Sequence, residues 1–329
     1  MNITKRIINK YNYWHEILEL RRVAKKACNG HQVRLYNWSR VWAQDLWLVD
    51  FIEKRELLKD KPKAKIALYS IFAPDWLIRF DNADVRIFVA RENVHKKSMQ
   101  HWSHQFINDK RFRLSLGFDE IDHTEYLRHP FWLMWSVFEP TDNYEDIKRK
   151  IEYMNSPLNK SFDERRFCSF LCSHDDIGRK KIYSQLSEID KVDCDGKLFH
   201  NNDTLITKFK DNKLEYLKDY RFNLTPENTD YPGYCTEKLV EAISAGCIPI
   251  YNGCNNNPEP DIFNHSAIIF IKMTEENKEA ISLVKELNSD KKRYMDFASQ
   301  PRFIDGAAER IWEYYETLEN KLKEIIKNV

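Results

Sequence analysis

The stretch Tyr220–Gly253, YRFNLTPENTDYPGYCTEKLVEAISAGCIPIYNG, contains a complete strand, loop, helix and second strand. The apolar run 220–224 is typical of a buried strand and is followed by a loop with Pro and Gly. Apolar residues at helical spacing over 236–245 predict a helix, and Gly246 comes where a left-handed cap is expected. The run 248–251 is a second short strand. This order predicts two parallel strands joined by a helix.

The start of that helix is a candidate anion site. Thr236 is a frequent helix-capping residue, and Glu237 and Lys238 fall in the first turn. Free backbone N–H groups and the helix dipole favour a phosphate there, and Lys238 adds a full positive charge. Glu237 could accept hydrogen bonds from ribose hydroxyls, and Tyr234 could support a nucleotide. Spacing alone favours a plainer explanation, which is an ordinary charged first turn of a surface helix.

The remainder of the chain shows the same alternation of strands and helices. Strands are predicted at 64–71, 85–90, 167–171 and 267–271, helices at 13–27, 42–56, 179–189 and 275–287, and a turn at 73–75. This alternation predicts the α/β class, with parallel sheets covered by helices on both faces. Such sheets bind ligands at the carboxyl ends of their strands.

Three parts are predicted along the chain. They are an N-terminal domain over 1–155, a C-terminal domain over 156–300 and a C-terminal helix over 301–329, with the linker in the polar stretch 152–165. Apolar residues at spacings of three or four between Ile311 and Val329 predict that the last helix is amphipathic. We expect it to pack back on the protein. A peripheral contact with the inner face of a membrane is the alternative, which a weakly basic polar face disfavours.

The composition indicates a globular chain with two cores. The 329 residues exceed one ordinary core, and 42% hydrophobic content supplies apolar surface for two. The 52 Lys and Arg nearly balance the 51 Asp and Glu, so we expect no nucleic-acid partner. An odd number of scattered cysteines, seven, and the lack of a signal core or an apolar spanning run predict a reduced, cytoplasmic protein.

The stretch Tyr220–Gly253 closely resembles the signature of the α-1,3/4-fucosyltransferase family. The matching pieces are Phe222-Asn223-Leu224, Glu227-Asn228, Gly233-Tyr234-Cys235-Thr236-Glu237-Lys238 and Ile248-Pro249-Ile250-Tyr251-Asn252-Gly253. A match of this length with its spacing intact is specific. Residues 166–186 resemble the family's first donor-domain strand and helix, with Arg179 at the basic position that contacts the diphosphate, and 192–197 resemble its V-D-x-x-G-K stretch.

The resemblance extends into the first half and covers roughly residues 64–300. The stretch 86–93, RIFVAREN, is similar to the family's strand that ends in the catalytic Glu, here Glu92, and 118–130 to its F-D-x-x-D…Y-L-R-x-P stretch. Two residues depart from the pattern. Arg91 replaces the small residue usual before the catalytic Glu, and His174 stands where relatives commonly have Asn.

The resemblance implies an inverting enzyme of the GT-B fold. Two Rossmann-like domains with parallel sheets would face across a cleft, the first for an oligosaccharide acceptor and the second for GDP-fucose. Glu92 would be the general base, and Arg179 and Lys238 would hold the diphosphate. The fucose, ribose or base would be bound by Asn228, Tyr234 and Glu237, and the fucose hydroxyls by Glu227. With two cations and a helix dipole, no metal ion or other cofactor is required.

The expected acceptor is GlcNAc, or Glc, in a lactosamine-type glycan, joined through its 3-hydroxyl. Two other functions stay open. One is a GT-B enzyme with another sugar nucleotide, against which the E-N…T-E-K spacing speaks. The other is a non-catalytic glycan- or nucleotide-binding protein, against which the joint presence of Glu92, Arg179 and Lys238 speaks. A donor screen and an assay of GDP-fucose hydrolysis or transfer would distinguish them.

Other residues with possible chemistry have plainer explanations. Cys168, Cys172 and His174 do not have zinc-site spacing, and alternate cysteines of one strand predict core packing. The histidines His95, His101 and His104 could border the acceptor site or lie on the solvated surface. Trp132 and Trp135 could stack on sugar rings or fill a core.

Overall fold

The computed structural model describes residues 3–36, 43–71, 78, 82–96, 106–156, 161–175 and 178–329. The chain forms two compact units. The first comprises Met1–Thr141 and Tyr314–Val329, and the second Asp142–Glu313. This division lies before the boundary predicted at 155. A capping box of Asn143 and Asp146 begins a helix of the second unit at the point where the sequence analysis still assigned residues to the first.

The first unit is built on a five-stranded parallel sheet. Its elements are α1 (Ile3–Ala27), β1 (Val33–Tyr36), α2 (Trp47–Lys54), β2 (Ile66–Tyr69), β3 (Val85–Val89), β4 (Leu114–Gly117) and β5 (Tyr126–Arg128). The strands pair in chain order, β1-β2-β3-β4-β5, and every pair is parallel. β2 and β4 are buried along their whole length, as the apolar run of β2 predicts for a sheet covered on both faces.

The second unit has its own parallel sheet. Its elements are α3 (Tyr144–Asn155), β6 (Arg166–Ser169), α4 (Arg179–Ser187), β7 (Val192–Asp193), α5 (Thr204–Thr207), α6 (Lys213–Leu217), β8 (Tyr220–Leu224), α7 (Glu237–Ser244), β9 (Ile248–Tyr251), β10 (Ile269–Phe270), α8 (Lys278–Ser289), α9 (Lys291–Ala298) and the start of α10 (Ala307–Lys327). The strand order is β10-β9-β8-β6-β7, again parallel throughout. The two parallel sheets confirm the predicted α/β class.

The predicted elements differ from the observed ones mainly at their ends. The strands at 220–224 and 248–251 have the predicted bounds, and Gly246 closes α7 with a φ of 74°. The helix predicted at 13–27 begins ten residues earlier, at Ile3, and the one predicted at 42–56 begins as a 3-10 turn over Ala43–Leu46. The turn predicted at 73–75 lies outside the described residues.

The last helix is covered by the protein on its apolar side. Tyr315, Leu318 and Leu322 of α10 have no exposed surface. This burial is what we expect of a helix that packs back on the protein. None of the helices in the described ranges is both long and apolar enough to cross a bilayer.

The cysteines lie in the packed interior and form no disulfides. All seven thiols are free. Cys168 and Cys172 pack with Phe170 in the core of the second unit, which confirms core packing as their explanation. Burial raises the pKa of Cys168, because the low dielectric of the core disfavours a thiolate.

Candidate active site

The candidate donor site lies at the carboxyl ends of two neighbouring strands of the second unit. β6 and β8 pair in parallel, and the chain leaves both at the same edge of the sheet. Beyond β8, the backbone continues along β9, because Thr225 N–H donates to Ile250 (2.9 Å) and Glu227 N–H to Asn252 (2.8 Å). Glu227 is therefore held as firmly as a strand residue although it lies in a loop.

Glu227 is the centre of a buried hydrogen-bond network. Its carboxylate accepts from the Thr236 backbone N–H (2.8 Å) and hydroxyl (2.7 Å). It also accepts from Lys238 Nζ (3.0 Å) and, weakly, from the Tyr251 hydroxyl (3.4 Å). Glu227 has no exposed surface. The structure therefore holds this carboxylate in the interior of the second unit, and its contact with the hydroxyls of fucose stays a prediction.

Gly253 is required by the same network. A Cβ atom there would lie 2.5 Å from Cγ of Glu227 and 2.6 Å from the hydroxyl of Tyr251. Such distances are far inside van der Waals contact, so the final Gly of the I-P-I-Y-x-G motif leaves room for Glu227. No role was predicted for Tyr251 or Gly253 from the sequence. Both come at the end of β9, opposite the loop of Glu227 and Asn228, and this position is the feature of the sequence that could have indicated their contact with Glu227.

Lys238 is held at the first turn of α7 with its side chain partly open to solvent. Its Nζ donates to Thr236 Oγ1 (2.7 Å) and lies 3.7 Å from Glu237 Oε1, in addition to the bond with Glu227. The Lys238 side chain is 25% exposed. Thr236 has the N-cap position of α7, as predicted, but its side chain makes no capping bond. Its hydroxyl instead connects Glu227 and Lys238.

Glu237 is charged in this environment. Burial raises the pKa of its carboxyl, but the positive charges of Lys238 and Lys213 outweigh that effect, and the net pKa lies below the usual value. Lys213, which belongs to α6, also forms an ion pair (2.5 Å) with Glu241, a residue of α7 like Glu237. Glu237 thus presents a carboxylate, an acceptor of hydrogen bonds, beside the Lys238 ammonium.

Arg179 is a buried cation that joins the two strand-end loops. Its Nη1 donates to the His174 carbonyl (2.6 Å) and to Cys172 Sγ (2.9 Å), and its Nη2 to the Glu227 carbonyl (3.2 Å). Its Nε has no hydrogen-bond partner in the described structure. Two of these acceptors are backbone carbonyls and the third is a cysteine sulfur, and no carboxylate of the described ranges forms an ion pair with this guanidinium. His174, where the resemblance led us to expect Asn, thus contributes its backbone carbonyl.

Arg179 and Lys238 both contact Glu227. Arg179 reaches the backbone carbonyl of Glu227, and Lys238 reaches its carboxylate. Of the other predicted donor-site residues, Asn228 follows Glu227 and is half-buried, and Tyr234 is buried in the loop before α7. All six residues predicted for the donor therefore lie on the same two loops and the helices that follow them.

The region of Glu92 lies in the first unit, beyond the carboxyl end of β3. Glu92 is half-buried. Its neighbour Arg91 forms an ion pair with Asp45, whose side chain is fully buried, and its guanidinium lies over the rings of Phe131 (5.2 Å) and Trp135 (5.3 Å). Asp45 and the two rings thus accommodate the large side chain of Arg91 at a position where the resemblance predicts a small residue. It also fixes the backbone next to Glu92.

His95, close to Glu92, is bound to a carboxylate. Its Nε2 lies 2.8 Å from Asp119 Oδ1, and its backbone N–H donates to Asn93 Oδ1 (2.9 Å). The other two histidines of the predicted cluster, 101 and 104, lie outside the described residues. Trp132 is buried and makes an edge contact with Phe138, so core packing is the explanation that holds for it. Within the described ranges, no group of three or more potential metal ligands is assembled.

Comparison with known proteins gives a consistent result. Residues 164–318 match the family model described as glycosyltransferase family 10 (fucosyltransferase) C-term. The α-(1,3)-fucosyltransferase FucT of Helicobacter pylori is 30% identical over 227 residues, which are 61% of this chain and 46% of that protein. GDP-fucose protein O-fucosyltransferase 3 of Xenopus tropicalis is 29% identical over 159 residues, 45% of this chain and 34% of that protein. The chain thus spans less than half the length of these curated relatives.

A solved structure shares the fold of this chain. The crystal structure of an α1,3-fucosyltransferase with GDP-fucose aligns with a TM-score of 0.53, covering 87% of this chain and 89% of that one, at 22% sequence identity. Together with the two parallel sheets, this similarity confirms the predicted GT-B type of fold.

Proposed function

We propose that this chain, whose residues 164–318 match the model of the fucosyltransferases of glycosyltransferase family 10, is an α-1,3-fucosyltransferase. It would move L-fucose from GDP-β-L-fucose to the 3-hydroxyl of GlcNAc or Glc in a lactosamine-type glycan. The observation that supports this best is the convergence of Arg179 and Lys238 on Glu227 at the carboxyl edge of the second sheet.

The two cations suit the diphosphate of GDP. A guanidinium can bind two phosphate oxygens at once, and Arg179 has no carboxylate among its described partners to neutralise it. Lys238 adds a partly exposed ammonium at the N-terminus of α7, where backbone N–H groups also favour an anion. These groups would stabilise the charge that develops on GDP as it leaves, so the proposed mechanism requires no metal ion.

Transfer also requires a base for the acceptor hydroxyl. We assign this role to Glu92, which would accept the proton of the 3-hydroxyl as that oxygen bonds to C1 of fucose. The bond from C1 to the GDP oxygen breaks at the same time, and its electron pair leaves with GDP. Attack from the opposite side converts the β-linked donor into an α-linked product. The ion pair of Arg91 with buried Asp45 supports the assignment, because it fixes the backbone next to Glu92.

The relatives of this chain are named for transfer to different acceptors. The Helicobacter relative is named for α-(1,3) transfer, whereas the Xenopus relative is named for O-fucosylation of protein. An acceptor panel should therefore contain N-acetyllactosamine, lactose and a Ser/Thr-rich peptide. We expect transfer to the disaccharides, with an α-1,3 linkage determined by NMR. Transfer to the peptide alone would refute the proposed acceptor but keep the donor.

The donor is tested by the same assay with other sugar nucleotides. We expect turnover with GDP-fucose and little with GDP-mannose, UDP-galactose or UDP-GlcNAc. A preference for one of these would establish the rival function, a GT-B enzyme with another donor. Binding of GDP-fucose without hydrolysis or transfer to any acceptor would establish the other rival, a non-catalytic protein.

A further inference from the structure

The first helix, α1, bears a stripe of apolar side chains that remain exposed. Ile7, Tyr11, Trp14 and Leu18 recur at spacings of three or four residues and therefore share one face of the helix. Their exposed fractions lie between 42 and 67%. Single exposed apolar residues are ordinary, but a contiguous stripe of four, two of them aromatic, indicates an interaction surface.

The same face of α1 continues into a basic cavity. This cavity has a volume of about 660 Å³ and lies between the second half of α1 and β1. Leu18, the last residue of the stripe, lines it together with Arg21, Arg22 and Lys25 of the next two turns. Arg34 of β1 adds a fourth cation, and no carboxylate occurs among the described residues that line the cavity.

Positive charge is concentrated on this helix. Ile3–Ala27 contains seven Lys or Arg and two Glu, whereas the whole chain is almost balanced, with 52 basic and 51 acidic residues. Arg22 lies 3.1 Å from Glu19, with side chains that are 79% and 46% exposed, and a solvated pair of this kind stabilises the protein little. The helix is thus apolar over its first half and basic over its second half, on one face.

We propose that α1 binds the surface of an anionic phospholipid bilayer. The stripe would enter the boundary between headgroups and acyl chains, where Trp and Tyr are the preferred side chains. The basic cavity would take a lipid phosphate, which guanidinium groups bind bidentately. Apolar burial and attraction to anionic lipid would act together, as in peripheral helices that lie in the membrane plane.

Charge also decides between a membrane and a second copy of this chain. A second copy of the chain would offer this cavity the same cations and no carboxylate from the matching lining, and like-charge repulsion disfavours a dimer in which the two cavities meet. An anionic bilayer complements the cavity and covers the stripe. The proposal is independent of the fucosyltransferase function, because it uses no residue assigned to the donor or to the base.

Vesicle flotation with the whole chain tests the proposal. We expect the protein to float with vesicles of phosphatidylcholine and phosphatidylglycerol, to float poorly with phosphatidylcholine alone, and to be released by salt. The variants Tyr11→Glu/Leu18→Glu and Arg21→Glu/Lys25→Glu should each lower the partition coefficient by roughly tenfold or more. Matched controls on exposed positions of the second unit, Tyr153→Glu and Lys292→Glu, should float like the wild type.

Cys28, which also lines the cavity, supplies a second readout. Cys28 is the one cysteine of the seven that is not buried. Vesicles bound over the cavity should cover its thiol and therefore slow its reaction with a maleimide. Thermal unfolding followed by circular dichroism should be unchanged in every α1 variant, which shows that the first unit, to which α1 belongs, is still folded. If the Tyr11→Glu/Leu18→Glu variant does not fold like the wild type, the uncharged variant Tyr11→Ser/Leu18→Ser provides the same test of membrane binding.

Three results would overturn the proposal. One is flotation that does not depend on anionic lipid, and another is flotation that the α1 variants leave unchanged. The third is a wild-type dimer in analytical ultracentrifugation that Tyr11→Glu/Leu18→Glu dissociates, together with no vesicle binding. That result would assign the stripe to a second copy of the chain.

Discussion

The ammonium of Lys238 lies 3.0 Å from the carboxylate of Glu227, a residue without any exposed surface. A buried carboxylate needs a cation and hydrogen-bond donors, and Lys238 and Thr236 supply them. In return, the carboxylate fixes the position of a cation that would otherwise be flexible. Part of the Lys238 charge remains available to a ligand, since its side chain is 25% exposed.

Replacing Lys238 should weaken binding of the donor nucleotide. Lys238→Ala removes a charge-assisted bond to the diphosphate, so we expect the Kd of GDP to rise by about tenfold to a hundredfold, measured by calorimetry. Lys180→Ala, at an exposed position beside Arg179, is the control and should bind GDP like the wild type. Unchanged affinity in Lys238→Ala would eliminate its role in binding the diphosphate.

Glu227 should act on the nucleotide through Lys238. Glu227→Gln keeps the size of the side chain but removes its charge, which leaves the Lys238 ammonium without its closest anion. We expect a loss of about 1–3 kcal/mol in the free energy of unfolding and weaker GDP binding. In a double-mutant cycle with Lys238→Ala, the effects on GDP binding should not add. Additive effects would show that the carboxylate acts independently of Lys238.

The guanidinium geometry of Arg179 should matter beyond its charge. Arg179→Lys keeps the positive charge but loses the fork that joins the carbonyls of His174 and Glu227. We expect kcat/KM for GDP-fucose to fall by roughly tenfold or more, since each lost hydrogen bond from a charged donor is worth about 1.5 kcal/mol or above. A variant with wild-type kcat/KM would show that charge alone suffices.

The proposed base should affect turnover and not nucleotide affinity. Glu92→Gln cannot accept a proton, so we expect kcat to fall by about 10² to 10⁴ while the Kd of GDP is unchanged. Glu120→Gln, at a carboxylate that is 85% exposed, is the control and should retain most of the activity. Wild-type turnover in Glu92→Gln would refute the assignment.

His129 should make the stability of the first unit sensitive to pH. Its ring is fully buried between Trp47 and Tyr314, and neither ring nitrogen has a hydrogen-bond partner in the described structure. Burial, reinforced by the charge of Arg128, lowers the pKa of His129 to about 3. The unfolded chain therefore binds a proton near pH 6.5 that the folded chain excludes, and stability is lost as the pH falls below that value.

The expected loss from this residue between pH 7 and pH 5 is about 2 kcal/mol, which follows from the linkage between proton binding and folding. Urea unfolding at both pH values measures it. The variant His129→Phe has a side chain of similar volume but no titrating group. Between pH 7 and pH 5, its free energy of unfolding should therefore fall by about 2 kcal/mol less than that of the wild type. Equal losses in the two proteins would mean that His129 is protonated in the folded state.

The sequence by itself determined the local elements of the donor segment. The strands at 220–224 and 248–251 and the glycine cap at 246 follow from patterns within a few residues, and the structure has them at those positions. Short-range periodicity and capping depend on neighbours along the chain, which a sequence displays directly. The same patterns placed Lys238 at the first turn of a helix, where it is found.

Only the tertiary structure decided what the side chains do. The sequence predicted neither the burial of Glu227 nor the hydrogen bonds by which the Thr236 hydroxyl connects Glu227 and Lys238, and both arise from folding. The last helix had an apolar face suited to a membrane or to the protein, and packing buried it. Exposure and hydrogen-bond partners depend on residues far apart in the chain, such as Arg179 and Glu227, and their meeting is a property of the folded sheet.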